Sequence, residues 1–272
     1  MKNRDIPLGK TSEYRFEYDP DQLYTIARAQ TREALALPHV LPFTGEDIWT
    51  AYELSWLNSR GLPQTAIAEF RFPCDSPRLV ESKSFKLYLN SLNQTRFDST
   101  EQLLATLKKD LTNAVEAAVQ IALVSDLQTE LSADLAYQCL DTLSVECSLY
   151  QPDAALLDIS RAGQVQQRWY SRLFRSLCPV TGQPDWADIF IDYHGPELKP
   201  QSLLQYLVSY RQHQGFHEQC VEQIFQDILK NCQADRLSVY ARFLRRGGLD
   251  INPWRSTHAG FPDNLPGRQP RQ

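Results

Sequence analysis

No stretch of this 272-residue chain holds the roughly 18–20 apolar residues that a membrane-spanning helix needs. Its most apolar segment, Ala114 to Val124, is interrupted by Glu116 and Gln120. The opening MKNRDIPLGK is polar from the start, so the apolar centre of a signal peptide is missing and a cytoplasmic setting is expected. None of the six cysteines stands in a Cys-x-x-Cys spacing, which disfavours structural zinc and thioredoxin-type chemistry. In a reducing compartment the thiols are expected free, and the default for each is a small buried hydrophobe. No Gly-x-Gly-x-x-Gly occurs, which excludes a Rossmann dinucleotide site. Net charge is also small, −5 from 28 basic and 33 acidic residues, which argues against nucleic-acid binding by bulk charge. What remains is 42% hydrophobic and 22% charged, ample for a core in one large domain or two small ones.

Residues 1–40 are mixed and polar, with a helical patch from Leu23 to Leu37, and read as a mobile or wrapping arm. Gln64 to Phe72 alternates as a strand between Pro63 and Pro73. Thr100 to Ala118 predicts a helix, with Leu103, Leu104, Leu107, Leu111 and Val115 at helical spacing and Ser99 or Thr100 as its cap. Val119 to Val124 reads as a returning strand. Further on, Asp185 to Tyr193 is a strand, Pro200 to Gln212 and Glu218 to Cys232 are helices, and Leu237 to Leu244 is a strand ended by Gly247-Gly248. The tail from Asn252, with four prolines, reads as irregular. Tyr88-Leu89-Asn90-Ser91 echoes Tyr206-Leu207-Val208-Ser209, and Phe97 echoes Phe216, each ahead of a long helix. A tandem α+β repeat follows, with units at 41–130 and 131–272 after the arm.

Four segments carry chemistry-bearing residues. In Leu177 to Trp186, Cys178 lies in a turn-rich stretch with Asp185 at its far end, and the proline and glycine punctuation folds sulfur towards carboxylate. A thiol beside a proton acceptor is a nucleophile; the plain alternative is a surface turn with a strand-capping Asp. Phe216-His217-Glu218 opens the amphipathic helix, where the dipole stabilises a carboxylate that either simply starts the helix or accepts two hydrogen bonds from a guanine-like N–H pair. His217 and Cys220 make at most half a metal site. Val80 to Leu89 joins Glu81 to Lys83, Lys86 and two serines, which is either a solvated helix rim or a base-edge acceptor beside phosphate-binding cations. Arg245-Arg246 precede two glycines, either a basic strand end or a phosphate cradle.

Together these segments resemble the NADPH-dependent 7-cyano-7-deazaguanine reductases of queuosine biosynthesis, in their long two-domain form. The hallmark Glu-Ser-Lys-Ser-hydrophobic-Lys-Leu-Tyr stands at Glu81 to Tyr88, and Cys-x6-Asp-Trp, Phe-His-Glu-Gln and Arg-Arg-Gly-Gly-Leu-Asp-Ile-Asn-Pro-Trp-Arg follow in order at 178–186, 216–219 and 245–255. Asp47-Ile48-Trp49-Thr50 and Glu53 to Asn58 extend the likeness from about Leu41 to Arg255, while residues 126–170 match only loosely.

The resemblance implies an α+β fold of tandem tunnelling-fold (T-fold) units. Each would be an antiparallel four-stranded sheet with two helices on one face, in a homodimer with the pocket between the units. It implies NADPH as cofactor, no metal, no membrane and no direct nucleic acid. The implied reaction is four-electron reduction of the nitrile of 7-cyano-7-deazaguanine to 7-aminomethyl-7-deazaguanine, a precursor for tRNA modification, through a Cys178 thioimidate. Asp185 is then the general acid and His217 assists proton delivery beside the reacting carbon. Val80, Glu81, Ser82, His217 and Glu218 would hold the substrate ring. Ser82, Lys83, Arg246 and Gly247 would receive NADPH, the cations favouring its 2′-phosphate, and Lys86 would do no more than support Glu81. The other five cysteines, Trp186 and Trp254 are read as packing. Two rivals differ in what they require: a scaffold that kept the shape without turnover, which would need Cys178 or Asp185 to be absent, and a cyclohydrolase-like hydrolase, which would need a bound metal.

Overall fold

A computed structural model of the chain describes residues 15–124, 137–258 and 265–272. The chain divides into two compact units, one from 1–33, 48–126 and 245–250, the other from 34–47, 127–244 and 251–272. Among the described residues are five α-helices and two separate sets of paired strands, a mixed α and β architecture. No helix among the described residues is long and apolar enough to cross a membrane.

The first unit contains β1 (Thr25–Ala27), α1 (Arg28–Arg32), most of β2 (Thr44–Leu57), β3 (Pro63–Pro73), β4 (Arg78–Val80), α2 (Ser82–Ser91), α3 (Thr100–Val115) and β5 (Gln120–Val124). β3 lies between β5 and β2, with Phe70 opposite Ile121 in the antiparallel β3–β5 ladder. Its core centres on Phe85 of α2, whose ring meets Trp49, Phe70 and Phe72 edge-on. Helix α3 adds Leu103, Leu107, Leu111 and Val115, all fully buried one turn apart, each leucine contributing roughly 2 kcal/mol by leaving water. Ser99 Oγ accepts from Gln102 N at its start. The helix stops at Val115 rather than Ala118 because Glu116 turns left-handed, with φ 58°.

The expected helix from Leu23 to Leu37 is mostly something else. Thr25–Ala27 pairs antiparallel with β4, leaving helix only over Arg28–Arg32 and a 3-10 turn over 33–35. The edge of β4 offers backbone partners that an isolated short helix lacks. Further bonds fasten this segment along α2, from Tyr18 N to Thr95 Oγ1, Asp19 N to Ser91 Oγ and Tyr24 N to Ser84 Oγ. The first fourteen residues of the arm lie outside the described residues.

The second unit contains β6 (Gln138–Cys139), β7 (Ile159–Ser171), β8 (Arg175–Leu177), β9 (Pro184–Leu198), α4 (Pro200–Ser209), α5 (His217–Asn231), β10 (Arg236–Phe243) and most of β11 (Leu249–Ser256). The strand order is β11-β10-β9-β7-β6, antiparallel except between β6 and β7, and β8 pairs separately with β9. Helix α5 buries Cys220, Val221, Ile224, Phe225 and Ile228. The region from Asn252 is therefore not irregular at its start: β11 runs to Ser256 and is buried, its ladder to β10 spanning Ser238–Tyr240. Proline content hid this strand, because Pro253 lies one residue outside that short ladder and so leaves its N–H groups untouched.

Candidate active site

The hairpin from β8 into β9 reverses the chain between Cys178 and Asp185. Cys178 N donates to Gln183 O at 2.8 Å and Gly182 N to Cys178 O at 3.0 Å, closing a loop in which Gly182 takes φ 68°. In the ladder, Ser176 lies opposite Asp185 and Leu177 opposite Pro184. Side chains alternate along a strand and match across a pair, so Cys178, Ser176 and Asp185 share one face. Both Cys178 and Asp185 are buried. The hairpin is held from its other edge as well, by Leu177 N donating to His213 O and Gly215 N to Leu177 O.

That second edge leads directly into α5 and sets His217 against Asp185. Nε2 of His217 is 3.5 Å from Oδ2 of Asp185, and the imidazole stacks flat on Phe243, centroids 3.7 Å apart and planes 4° apart. Nδ1 of His217 is buried with no hydrogen-bond partner among the described residues. Phe216 provides no side-chain cap to α5, so the positive end of the helix faces the buried Glu218 carboxylate in its first turn.

Cys220, one turn further on, completes this neighbourhood. Burial pushes its thiol up to about 12, with the Ser176 hydroxyl opposing and the Asp185 and Glu218 charges adding to the rise. A thiol with so high a pKa stays protonated at neutral pH, so Cys220 is a poor nucleophile.

The other predicted residues belong to the first unit. Val80 ends β4, and Glu81 caps α2, its Oε1 accepting from Lys83 N at 2.9 Å and its Oε2 from Ser84 N at 2.8 Å. The segment is thus no solvated rim, because Glu81 is buried. Two backbone amides buttress this carboxylate. Ser82 and Lys83 follow, half-exposed, in the first helical turn. Arg246 and Leu249 close a tight turn through two backbone bonds, with Gly247 and Gly248 at φ 58° and 80°. A Cβ on Gly247 would stand 3.3 Å from Cδ and Cε of Lys86, a close contact that the lysine would have to relieve, and φ 58° there favours glycine. Lys86, Asn90, Asn93, Gly247 and Gly248 line a hollow of about 170 Å³. The cation that lines this hollow is Lys86; Lys83 and Arg246 are not among its lining residues, and the hollow is too small for a whole dinucleotide.

Some functional neighbours carried no sequence signal. Phe243 reads as an ordinary apolar strand residue, and nothing in spacing joins it to His217. Cys220 reads as packing, yet its sulfur shares surroundings with Asp185 and Glu218. Trp186 is half-buried between two guanidinium groups, Arg175 at 5.6 Å and Arg211 at 5.4 Å, while Trp254 is buried and donates to Ser238.

A family model described as nitrile reductase, 7-cyano-7-deazaguanine-reductase N-terminal, matches residues 14–123, and one described as QueF-like protein matches 184–260. Curated relatives named NADPH-dependent 7-cyano-7-deazaguanine reductase include one from Chromobacterium violaceum, 51% identical with 95% of this chain and 94% of that protein covered. Others are from Paraburkholderia xenovorans, 49% identical over 97% and 98%, and Saccharophagus degradans, 51% identical over 92% and 94%. With the hallmark motifs, both family models and half-identity across almost the whole length, the chain belongs to the NADPH-dependent 7-cyano-7-deazaguanine reductase family.

Proposed function

We propose that the protein reduces the nitrile of 7-cyano-7-deazaguanine to the aminomethyl group of 7-aminomethyl-7-deazaguanine, with Cys178 as covalent nucleophile. The observation that carries this reading is the hairpin that puts Cys178 and Asp185 on one face with His217 3.5 Å from Asp185. The names of the relatives, at about half identity, supply the substrate and the NADPH dependence.

A nitrile carbon is a poor hydride acceptor, and addition of a thiol across the triple bond makes it a better one. The Cys178 sulfur bonds to that carbon while the thiol proton passes, through Asp185, to the nitrile nitrogen, giving a thioimidate. One hydride to carbon and one proton to nitrogen give a tetrahedral thioaminal, which expels the Cys178 thiol and leaves an imine. A second hydride and proton give the amine, so two hydrides and two protons are consumed. NADPH, when bound, supplies the hydrides. His217 delivers protons alongside Asp185, and its flat contact with Phe243 fixes the plane in which it does so.

Recognition falls to carboxylates and cations. Glu218, favoured by the open N-terminus of α5, accepts ring N–H bonds. Glu81 does likewise with Val80 and Ser82 beside it, because a carboxylate bound by two amides keeps further lone pairs. Ser82, Lys83, Arg246 and Gly247 receive the dinucleotide, the cations selecting the 2′-phosphate. Each unit combining paired strands with a short and a long helix suits a tandem T-fold. In this reading the enzyme works as a cytoplasmic homodimer on the free base.

Stoichiometry tests the reaction. Absorbance at the nicotinamide band, read against product by chromatography, is expected to show two NADPH oxidised per amine formed. One NADPH per nitrile consumed, with an accumulating aldehyde, would contradict the four-electron course.

A further inference from the structure

The antiparallel ladder between β10 and β11 ends early, and what replaces it bears on His217. Its last matched pair is Tyr240 with Trp254. The next would set Ala241 against Pro253, which offers no N–H, and the backbone pairing is not resumed at Phe243. There the backbone is satisfied by side-chain amides instead. Phe243 N donates to Oδ1 of the fully buried Asn252, and Phe243 O accepts from Nε2 of Gln272 at 2.9 Å. The same Gln272 Nε2 also donates to Asn252 Oδ1, while its Oε1 accepts from Arg242 Nε and from Gln269 N. Gln272 and Gln269 are both buried, so this short segment docks as a surrogate for the strand partner that Pro253 removes. A separate contact, Arg271 with the buried Asp188, fastens the same segment elsewhere.

We propose that Gln272 is a positioning residue for His217, acting through the Phe243 backbone that it grips and the Phe243 ring on which the imidazole lies. The inference rests on the catalytic reading of His217 only for its kinetic consequence. Its structural half stands alone, because four amide hydrogen bonds define one orientation of the Gln272 side chain and a stacked pair at 3.7 Å tolerates little sliding. Truncating the amide leaves the end of β10 held by β9 and Asn252 but loosens its Gln272 edge, and displacement of a proton-transfer group by a fraction of an ångström lowers turnover without weakening ring recognition.

The test compares Gln272→Met, which keeps length but removes every amide bond, with Arg271→Ala, which loosens the same segment at Asp188. Proton NMR of the His217 ring is expected to show ring-current-shifted resonances in the wild type and in Arg271→Ala, and their return towards ordinary positions in Gln272→Met. Steady-state kinetics is expected to show kcat about tenfold lower in Gln272→Met with KM for the nitrile unchanged, and kcat retained in Arg271→Ala despite a lower Tm. Unmoved His217 resonances in Gln272→Met would overturn the proposal, as would equal losses of kcat in both variants. A wild type that leaves the nitrile untouched would count against the reaction alone, since the NMR comparison still judges the grip on His217.

Discussion

The two units solve one structural problem identically and another in opposite ways. In each, a ten-residue helix ends on a serine whose Oγ donates to the tyrosine carbonyl three residues back, Ser91 to Tyr88 and Ser209 to Tyr206, both at 2.6 Å. In each, that tyrosine donates to an aspartate on the following long helix, Tyr88 to Asp110 at 2.7 Å and Tyr206 to Asp227 at 2.6 Å. A second tyrosine joins both clusters, Tyr18 on Asp110 and Tyr210 on Tyr206. The helix starts differ. Glu81 and Ser99 close the N-termini of α2 and α3 with their own side chains, whereas α4 and α5 have no side-chain cap. The shared tie belongs to the fold, and His217 and Glu218 sit at the uncapped start of α5.

The largest effect should come from the reacting groups of the second unit. Cys178→Ala is expected to lower turnover by about 10³-fold or more, and Asp185→Asn by about 10²-fold or more, in single-turnover assays. Comparable activity in either variant would remove the division of labour between the units. In the first unit, Arg246→Ala should instead raise KM for NADPH about tenfold or more while kcat changes less, because a charge-assisted bond to phosphate is lost. A kcat loss without a KM change would move Arg246 into the chemical step.

Alkali should weaken both units, because burial raises Tyr18 and Tyr88 in the first and Tyr193, Tyr206 and Tyr210 in the second, and the buried thiols add a decline particular to the second. Burial pushes the thiols of Cys220 and Cys232, at the two ends of α5, up from an ordinary 9.0 to about 12. The unfolded chain releases these protons near pH 9 while the folded chain keeps them, so stability falls as pH climbs from 9 towards 12. Cys220→Ala should flatten the decline of Tm over that range, and an unchanged slope would contradict the assignment. The smallest difference lies in the shared tie. Tyr206→Phe and Tyr88→Phe should each cost about 1–3 kcal/mol in urea unfolding, Tyr206 the more because Tyr210 also loses its partner. Equal costs would show that the second tyrosine adds nothing.

Periodicity made the amphipathic elements legible. Helices α3 and α5 and strands β3, β9 and β10 stand within a few residues of where apolar spacing puts them. The Tyr-Leu-x-Ser echo also proved physical, since it marks the same hydrogen bonds in both units. Strand β2 was not legible because Trp49 to Tyr52 and Leu54 are buried on both faces, which leaves no alternation to read. The β1–β4 pairing was hidden because Thr25–Ala27 takes its conformation from a distant edge rather than from its own propensity. At the site, proline and glycine placement signalled a chain reversal, and a hairpin that pairs Ser176 with Asp185 stands there. The stacking of Phe243 on His217, and the role of Glu81 as a helix cap, depend on contacts that spacing does not encode.

The central claim is tested most directly by intact-protein and peptide mass spectrometry after incubation with 7-cyano-7-deazaguanine and no NADPH. The account predicts a mass increase equal to the whole nitrile compound, located on the peptide that contains Cys178 and absent from Cys178→Ala. A native mass on that peptide at saturating nitrile, in protein that turns over once NADPH is added, would contradict it.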